Sequence, residues 1–148
     1  MDASRQIVLA SDHAGFPLKE AVKKHLEAKG MEVTDVGTFS TEPVDYPAII
    51  REGCAAVLAK GVMGIVCGGS GNGEAMAANK VRGIRAAVCW SQESVRLARA
   101  HNDANVLALG ARLLEPGLAL ELVDIFLSTP FDGGRHERRI LDLESSHV

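Results

Sequence analysis

The sequence predicts an α/β fold with a mainly parallel, five-stranded sheet, and three observations carry that prediction. Short apolar runs alternate with helical patterns along the whole chain, the arrangement that βαβ crossovers produce. The runs are nearly continuous, as strands covered on both faces require. Aromatic residues make up 4% of the chain against 47% hydrophobic residues in all, so the core must be aliphatic and alanine-rich, which suits layered packing.

Each element can be read in order. Residues 7–10 form the first apolar run, followed by the polar turn Ser11-Asp12-His13-Ala14-Gly15. A helix comes next: Leu18, Ala21, Val22 and Leu26 share one face, and Glu20 and Lys24 pair at i,i+4 on the other. Pro17 suits its first turn and Gly30 its C-terminal cap. Residues 32–36 read as the second strand, ended by Gly37, and a helix over about 47–59 follows the loop 40–46. The third strand, 62–67, opens into Gly68-Gly69-Ser70-Gly71-Asn72-Gly73-Glu74 and a short helix to about Asn79. Residues 84–89 read as a further buried strand. Ser91 is the N-cap of a helix through Ala100, and 106–109 form the fifth strand. Helices over about 116–128 and 134–144 finish the chain, separated by Pro130 and Gly133-Gly134.

The 148 residues fit one domain, 1–148, long enough to bury roughly two-thirds of the unfolded surface. A net charge of −3 argues against nucleic acid binding through bulk charge. No apolar run approaches 18 residues, so no membrane span is expected. The polar N-terminus, Met1 to Gln6, lacks the shape of a signal peptide. Cys54, Cys67 and Cys89 are odd in number and set among apolar residues, and no CxxC pair or His/Cys cluster suggests a metal. Reduced thiols in a cytoplasmic protein follow.

In parallel sheets, ligands sit beyond the carboxyl ends of the strands. Asp12-His13, Gly68 to Glu74, and Arg112 all fall there. The glycines at 69, 71 and 73 leave backbone N–H groups free to face an anion at a helix N-terminus. The turn lacks the Gly-Lys-Ser/Thr ending of a P-loop and the GxGxxG spacing. Glu74 would repel a phosphate bound there. The loop therefore better suits hydroxyls or a developing oxyanion, with Glu74 either a neighbouring base or a complement to the helix dipole. Arg135 and Arg139, four residues apart on one helix face, together with Arg112, are candidates for a phosphate grip, whereas Arg138 should face elsewhere and pair with a carboxylate. His101 either interacts with a helix C-terminus or acts as an acid–base group, and Asp12 either caps the next helix or does chemistry.

These residues together resemble a known family. Ser11-Asp12-His13-Ala14-Gly15, Asp45-Tyr46-Pro47, Gly69 to Glu74 leading to Ala77-Ala78-Asn79-Lys80, and His101-Asn102-Asp103-Ala104-Asn105 followed by Gly110-Ala111-Arg112 are similar to ribose-5-phosphate isomerase type B. That family includes the galactose-6-phosphate isomerase subunits, and the likeness runs from about residue 7 to 141. It implies a Rossmann-like three-layer α/β/α fold. It also implies a homodimer or dimer of dimers with shared sites, to which the helix at about 134–144 contributes. The implied reaction interconverts ribose 5-phosphate and ribulose 5-phosphate, in the pentose phosphate pathway, through a cis-enediolate without metal or nucleotide cofactor. Carried over by position, Asp12 and His101 open the sugar ring, and His13 and Asn102 contact substrate. Gly69, Ser70, Gly71, Asn72 and Gly73 form the anion hole, and Arg112, Arg135 and Arg139 hold the phosphate.

Many members carry their base as a cysteine immediately before the Gly-Thr/Ser-Gly segment. That position is Gly68 here, and Cys67 lies one residue earlier, which in a strand turns its side chain to the opposite face. The chain instead resembles the subgroup with Gly-Ser-Gly-Asn-Gly-Glu, which implies Glu74 as the base. Other short sugar phosphates (erythrulose 4-phosphate, allose or galactose 6-phosphate) are alternative substrates. A non-catalytic module binding a phosphosugar or nucleotide is the alternative from another class.

Overall fold

A computed structural model describes residues 5–145. Met1 to Ser4, part of the N-terminal stretch read above, lie outside the described residues. In chain order the elements are β1 (Gln6–Ser11), α1 (Phe16–Ala28), β2 (Glu32–Asp35), α2 (Tyr46–Lys60), β3 (Met63–Gly68) and α3 (Asn72–Asn79). Then come β4 (Ala86–Val88), α4 (Gln92–Asn102), β5 (Val106–Gly110), α5 (Pro116–Ser128) and α6 (Arg135–Glu144). The five strands form one parallel sheet in the order β2-β1-β3-β5-β4.

Alternation along the central strands divides the core in two. Ile7, Leu9, Ile65, Cys67, Leu107 and Leu109 face α1, α4 and α5, while Val8, Ala10, Val66, Val106 and Ala108 face α2 and α3. This is the expected three-layer α/β/α, Rossmann-like arrangement. The direction of chain progression across the sheet reverses between β1 and β3, so the turns after these two strands flank the switch point where such folds bind ligands.

Local signals account for most boundaries. Pro17 lies in the first turn of α1, and Gly30, with φ +83°, closes the helix through Gly30 N–H to Glu27 O and Met31 N–H to Leu26 O. Ser91 caps α4 in a capping box with Ser94. β4 differs from expectation. It is three residues long and half-buried, because it is the sheet edge and pairs with β5 alone. α6 also departs from the layers, since none of its residues is buried. Leu141 and Leu143 stay in water, forgoing roughly 1.5–3 kcal/mol apiece of burial.

The ionic feature that periodicity did not reveal is Lys19. Glu20 does not wait for Lys24: its carboxylate accepts from Lys19 Nζ at 3.1 Å. Lys19 is fully buried, with Nζ at 2.7 and 2.6 Å from the two oxygens of Asp35 and 5.2 Å from the ring centroids of both Phe16 and Phe39. Asp35 Oδ1 also accepts the Gly37 N–H at 2.9 Å, so the pair fixes where the chain leaves β2. Burial pushes the Asp35 carboxyl up. Lys19, the Gly37 amide and Lys23 outweigh it and hold it below its ordinary value. Its contribution to stability is therefore present above the ordinary carboxylate range and fades as pH falls through the lowered value. Asp35→Ala, which strands the Lys19 ammonium, should cost about 3–5 kcal/mol in urea unfolding at neutral pH; a loss below 1 kcal/mol would show that the pair carries no such weight.

Candidate active site

The turn after β1 is shaped by Asp12 itself. Asp12 Oδ1 accepts the Gly15 N–H at 2.8 Å, and the Asp12 N–H donates to Cys67 O at 3.2 Å, tying the turn to β3. The N-cap of α1 is Gly15, so Asp12 closes the preceding turn and does not cap the helix. His13 Nδ1 accepts the Val44 N–H at 3.1 Å. An amide can donate only to an unprotonated nitrogen, so the ring carries its proton on Nε2.

The turn after β3 holds a strongly perturbed carboxyl, that of Glu74. β3 extends to Gly68, and its alternation sends Cys67 toward α1 while position 68 faces α2 and α3. A Cβ at Gly68 would fall inside the Glu74 carboxylate. The missing side chain is therefore what lets Glu74, in the first turn of α3, lie back over the strand end. Glu74 is 3% exposed. Burial raises its pKa, a hydrogen bond shared with the Asp12 carboxyl raises it further, and the value reaches about 7. Cys67 meets the opposite fate: burial pushes its thiol up to about 12, so at neutral pH it holds its proton.

Around Glu74 the backbone offers donors. Gly71 has φ +83°, a conformation glycine adopts freely, and it opens α3. The N–H groups of Gly69, Ser70, Gly71 and Gly73 have no acceptor among the described residues. The Asn72 N–H is taken by Ser70 Oγ at 3.1 Å, which leaves the Ser70 hydroxyl proton to point outward. The turn's carbonyls are held by β5's end, Ala111 N–H to Gly68 O at 2.8 Å and Arg112 N–H to Gly69 O at 3.0 Å. The Arg112 guanidinium lies against Gly69, where a Cβ would stand 3.1 Å from Nη1. The Tyr46 phenol packs on Gly73 in the same way, at 2.6 Å from such a Cβ. Tyr46, part of the Asp45-Tyr46-Pro47 motif, packs against the turn, a placement that periodicity does not mark.

The remaining candidates do not join this group. α4 runs back from the carboxyl edge, so His101 and Asn102 in its last turn lie at the opposite edge of the sheet, with α6 beside them. The two edges are about 16 Å apart along the five residues of β5. The second edge is well built. The buried Arg99 side chain donates to Thr129 O at 3.1 Å, Ala104 O at 2.7 Å and Asp103 at 2.8 Å, and the Asp132 N–H bonds Ala100 O at 2.9 Å. Arg85 joins Asn102 O to Glu144 of α6, at 3.2 and 2.6 Å. These contacts stack the rings of His101 and His136, with centroids 4.2 Å apart and planes 15° from parallel.

Burial lowers the pKa of His136, and the neighbouring His101, Arg135 and Arg139 lower it further. His136 and Asp132 were missed in the sequence, because their proximity to His101 is tertiary. Arg112, Arg135 and Arg139 carry no carboxylate partner among the described residues, and neither does Arg138, which was expected to pair. A cavity of about 750 Å³ opens beside Asn102, Arg82 and Leu143 on this second edge, and Glu74 does not line it.

Comparison with known proteins agrees with this architecture. The model of the ribose/galactose isomerase family matches residues 7–143. A crystal structure of a ribose 5-phosphate isomerase from Thermotoga maritima superposes with a TM-score of 0.93 at 51% identity, covering 95% of this chain and 98% of that one. Ribose-5-phosphate isomerase B of Mycobacterium leprae is 46% identical over 138 residues, 91% of this chain and 85% of its own length. The isomerase B structure from Mycoplasma genitalium with bound ribulose 5-phosphate gives a TM-score of 0.90 at 39% identity, with 94% and 93% covered. By the extent of these matches and by its fold, the chain belongs to the ribose/galactose isomerase family.

Proposed function

We propose that this chain interconverts ribose 5-phosphate and ribulose 5-phosphate in the cytoplasm, with Glu74 as the base. The observation that carries the reading is the buried Glu74 carboxylate over Gly68, beside amides that have no partner. Moving a proton between C1 and C2 requires a base near its working pH and donors for the enediolate oxygen. Glu74, with a pKa raised to about 7, takes the C2 proton and returns it to C1. Gly69, Ser70, Gly71, Asn72 and Gly73 surround the developing oxyanion, the amides of 69, 70, 71 and 73 and the Ser70 hydroxyl being open donors. Asp12 and His101 open the furanose, His101 giving the proton to the ring oxygen. His13 and Asn102 contact the substrate, and Arg112, Arg135 and Arg139 neutralise the phosphate.

This assignment needs two chains. His101, Asn102, Arg135 and Arg139 stand a strand length away from Glu74 in their own chain, so they serve the Glu74 edge of a second copy in a homodimer. A two-fold axis makes the exchange reciprocal and yields two equal sites. The exposed Leu141 and Leu143 of α6 suit such a contact.

Glu74→Gln should lower kcat by about a hundredfold or more, whereas Cys67→Ala keeps most of it; equal losses in a kinetic assay would overturn the assignment. Exchange of the substrate C2 proton with solvent deuterium should vanish with Glu74→Gln, and a wild-type protein showing neither exchange nor turnover would be a binder. An assay panel of ribose, erythrulose, allose and galactose phosphates should rank the ribose ester first.

Titration supplies a second check. kcat/KM should rise with pH through about 7 as Glu74 loses its proton. The same raised pKa means that the protonated carboxyl favours the fold below its unfolded value, near 4.5, and that this benefit is lost as pH climbs through about 7. Glu74→Gln should therefore raise Tm at pH 8 and change it little at pH 4. A variant less stable than the wild type at pH 8 would contradict the burial argument.

A further inference from the structure

One constellation joins His101, given a part in ring opening above, to two side chains that have no role in the proposed reaction. His101 in the last turn of α4, Asp132 in the connection to α6 and His136 in the first turn of α6 each offer one ligand atom, and these atoms lie within 4.8 Å of one another. The sequence shows no metal-ligand spacing, because His101 and Asp132 are thirty-one residues apart and meet through the α4–α6 contact. We infer that His101, Asp132 and His136 form a binding site for a late first-row divalent cation, zinc above all, whose occupation takes His101 out of the isomerase reaction.

Three features argue for it. The ligand set is chemically suited, since two imidazoles and one carboxylate with an open fourth position match the preference of zinc for nitrogen and oxygen in tetrahedral sites. The scaffold is held on both sides: the Asp132 N–H is fixed to Ala100 O at 2.9 Å, and the His136 N–H to Gly133 O at 3.2 Å. The Arg99 clasp holds the same helix end, two residues before His101. The two rings stack face to face, 15° from parallel with centroids 4.2 Å apart, so each must turn about its side-chain torsions to aim an in-plane nitrogen lone pair at one ion. Tetrahedral bonds of about 2.0–2.2 Å put ligand atoms about 3.4 Å apart, so closing from 4.8 Å requires side-chain rotation and no backbone movement. No described residue makes a side-chain hydrogen bond to His101, Asp132 or His136 that the ion would have to break.

Arg135 and Arg139 on α6 oppose a bare cation. They favour an ion that carries an anion in its fourth position, and they disfavour magnesium or calcium, whose oxygen-rich shells this site cannot supply. The expected selectivity is therefore zinc, cobalt or nickel over magnesium.

The site itself does not depend on the proposed reaction, but the inhibition rests on His101 acting in ring opening. The test is titration calorimetry of the full chain with zinc chloride in chelator-free buffer, paired with the isomerase assay. The expected result is saturable binding of one ion per chain, weakened at least about tenfold in Asp132→Asn and in His136→Gln, since even outer-shell partners are worth that much. Asp132→Asn should keep near wild-type turnover while losing zinc inhibition, and EDTA should restore the inhibited wild type. No saturable binding, or binding that both substitutions leave unchanged, overturns the site. Zinc that binds in the expected pattern and leaves isomerisation untouched keeps the site and overturns the role of His101.

Discussion

The contact on which this site depends is the one between a carboxylate and a position with no side chain. Glu74 reaches back from the first turn of α3 and fills the space over Gly68 that any Cβ would take. That seat is 97% shielded from solvent and shared with Asp12, which is why the carboxyl titrates near neutrality and not with ordinary glutamates. Burying a carboxyl in this way costs stability at the pH where it works, a trade that functional sites commonly make. The strand's two-residue period does the rest. It turns the neighbouring Cys67 into the opposite layer, where burial leaves the thiol protonated.

The second constraint is the polarity of a parallel sheet. Every strand ends at the same edge, so the turns after β1, β3 and β5 converge without special design. Each helix that follows a strand then returns to the other edge and delivers its C-terminal residues there, and α6 starts from that edge after α5. In the proposed mechanism, what α4 and α6 contribute acts on a second copy of the chain. The fold thus separates Glu74 and the open amides beside it from His101, Arg135 and Arg139, and the proposed homodimer would reunite them. The end of α4, the α5–α6 connection and the start of α6 meet at that edge and bring His101, Asp132 and His136 together, which no linear spacing announces.

Much of this was legible in the sequence. Continuous apolar runs and cap residues gave the order of the elements, and Gly30 and Ser91 ended or began their helices as their chemistry requires. The glycine-rich turn was legible as a place for an anion because alternating glycines open a helix after a strand, while the pattern alone left Glu74 as either a base or a complement to the helix dipole. Three things were not. Edge position shortened and half-exposed β4, because only pairing tells an edge strand from a central one. Lys19 reads as a solvated helix residue until β2 places Asp35 opposite it. The split of site residues between two edges follows from helix direction in space, and the amino-acid order alone does not show it.

The central claim is that Glu74 of one chain works with His101 of another. Complementation tests it most directly: Glu74→Gln and His101→Asn chains, each inactive alone, are co-expressed or mixed after dissociation. Random pairing makes half of the dimers mixed, and each mixed dimer holds one intact site, so about a quarter of wild-type activity should return. Mixtures that stay as inactive as the separate variants would contradict the account, for they would mean that both residues act within a single chain.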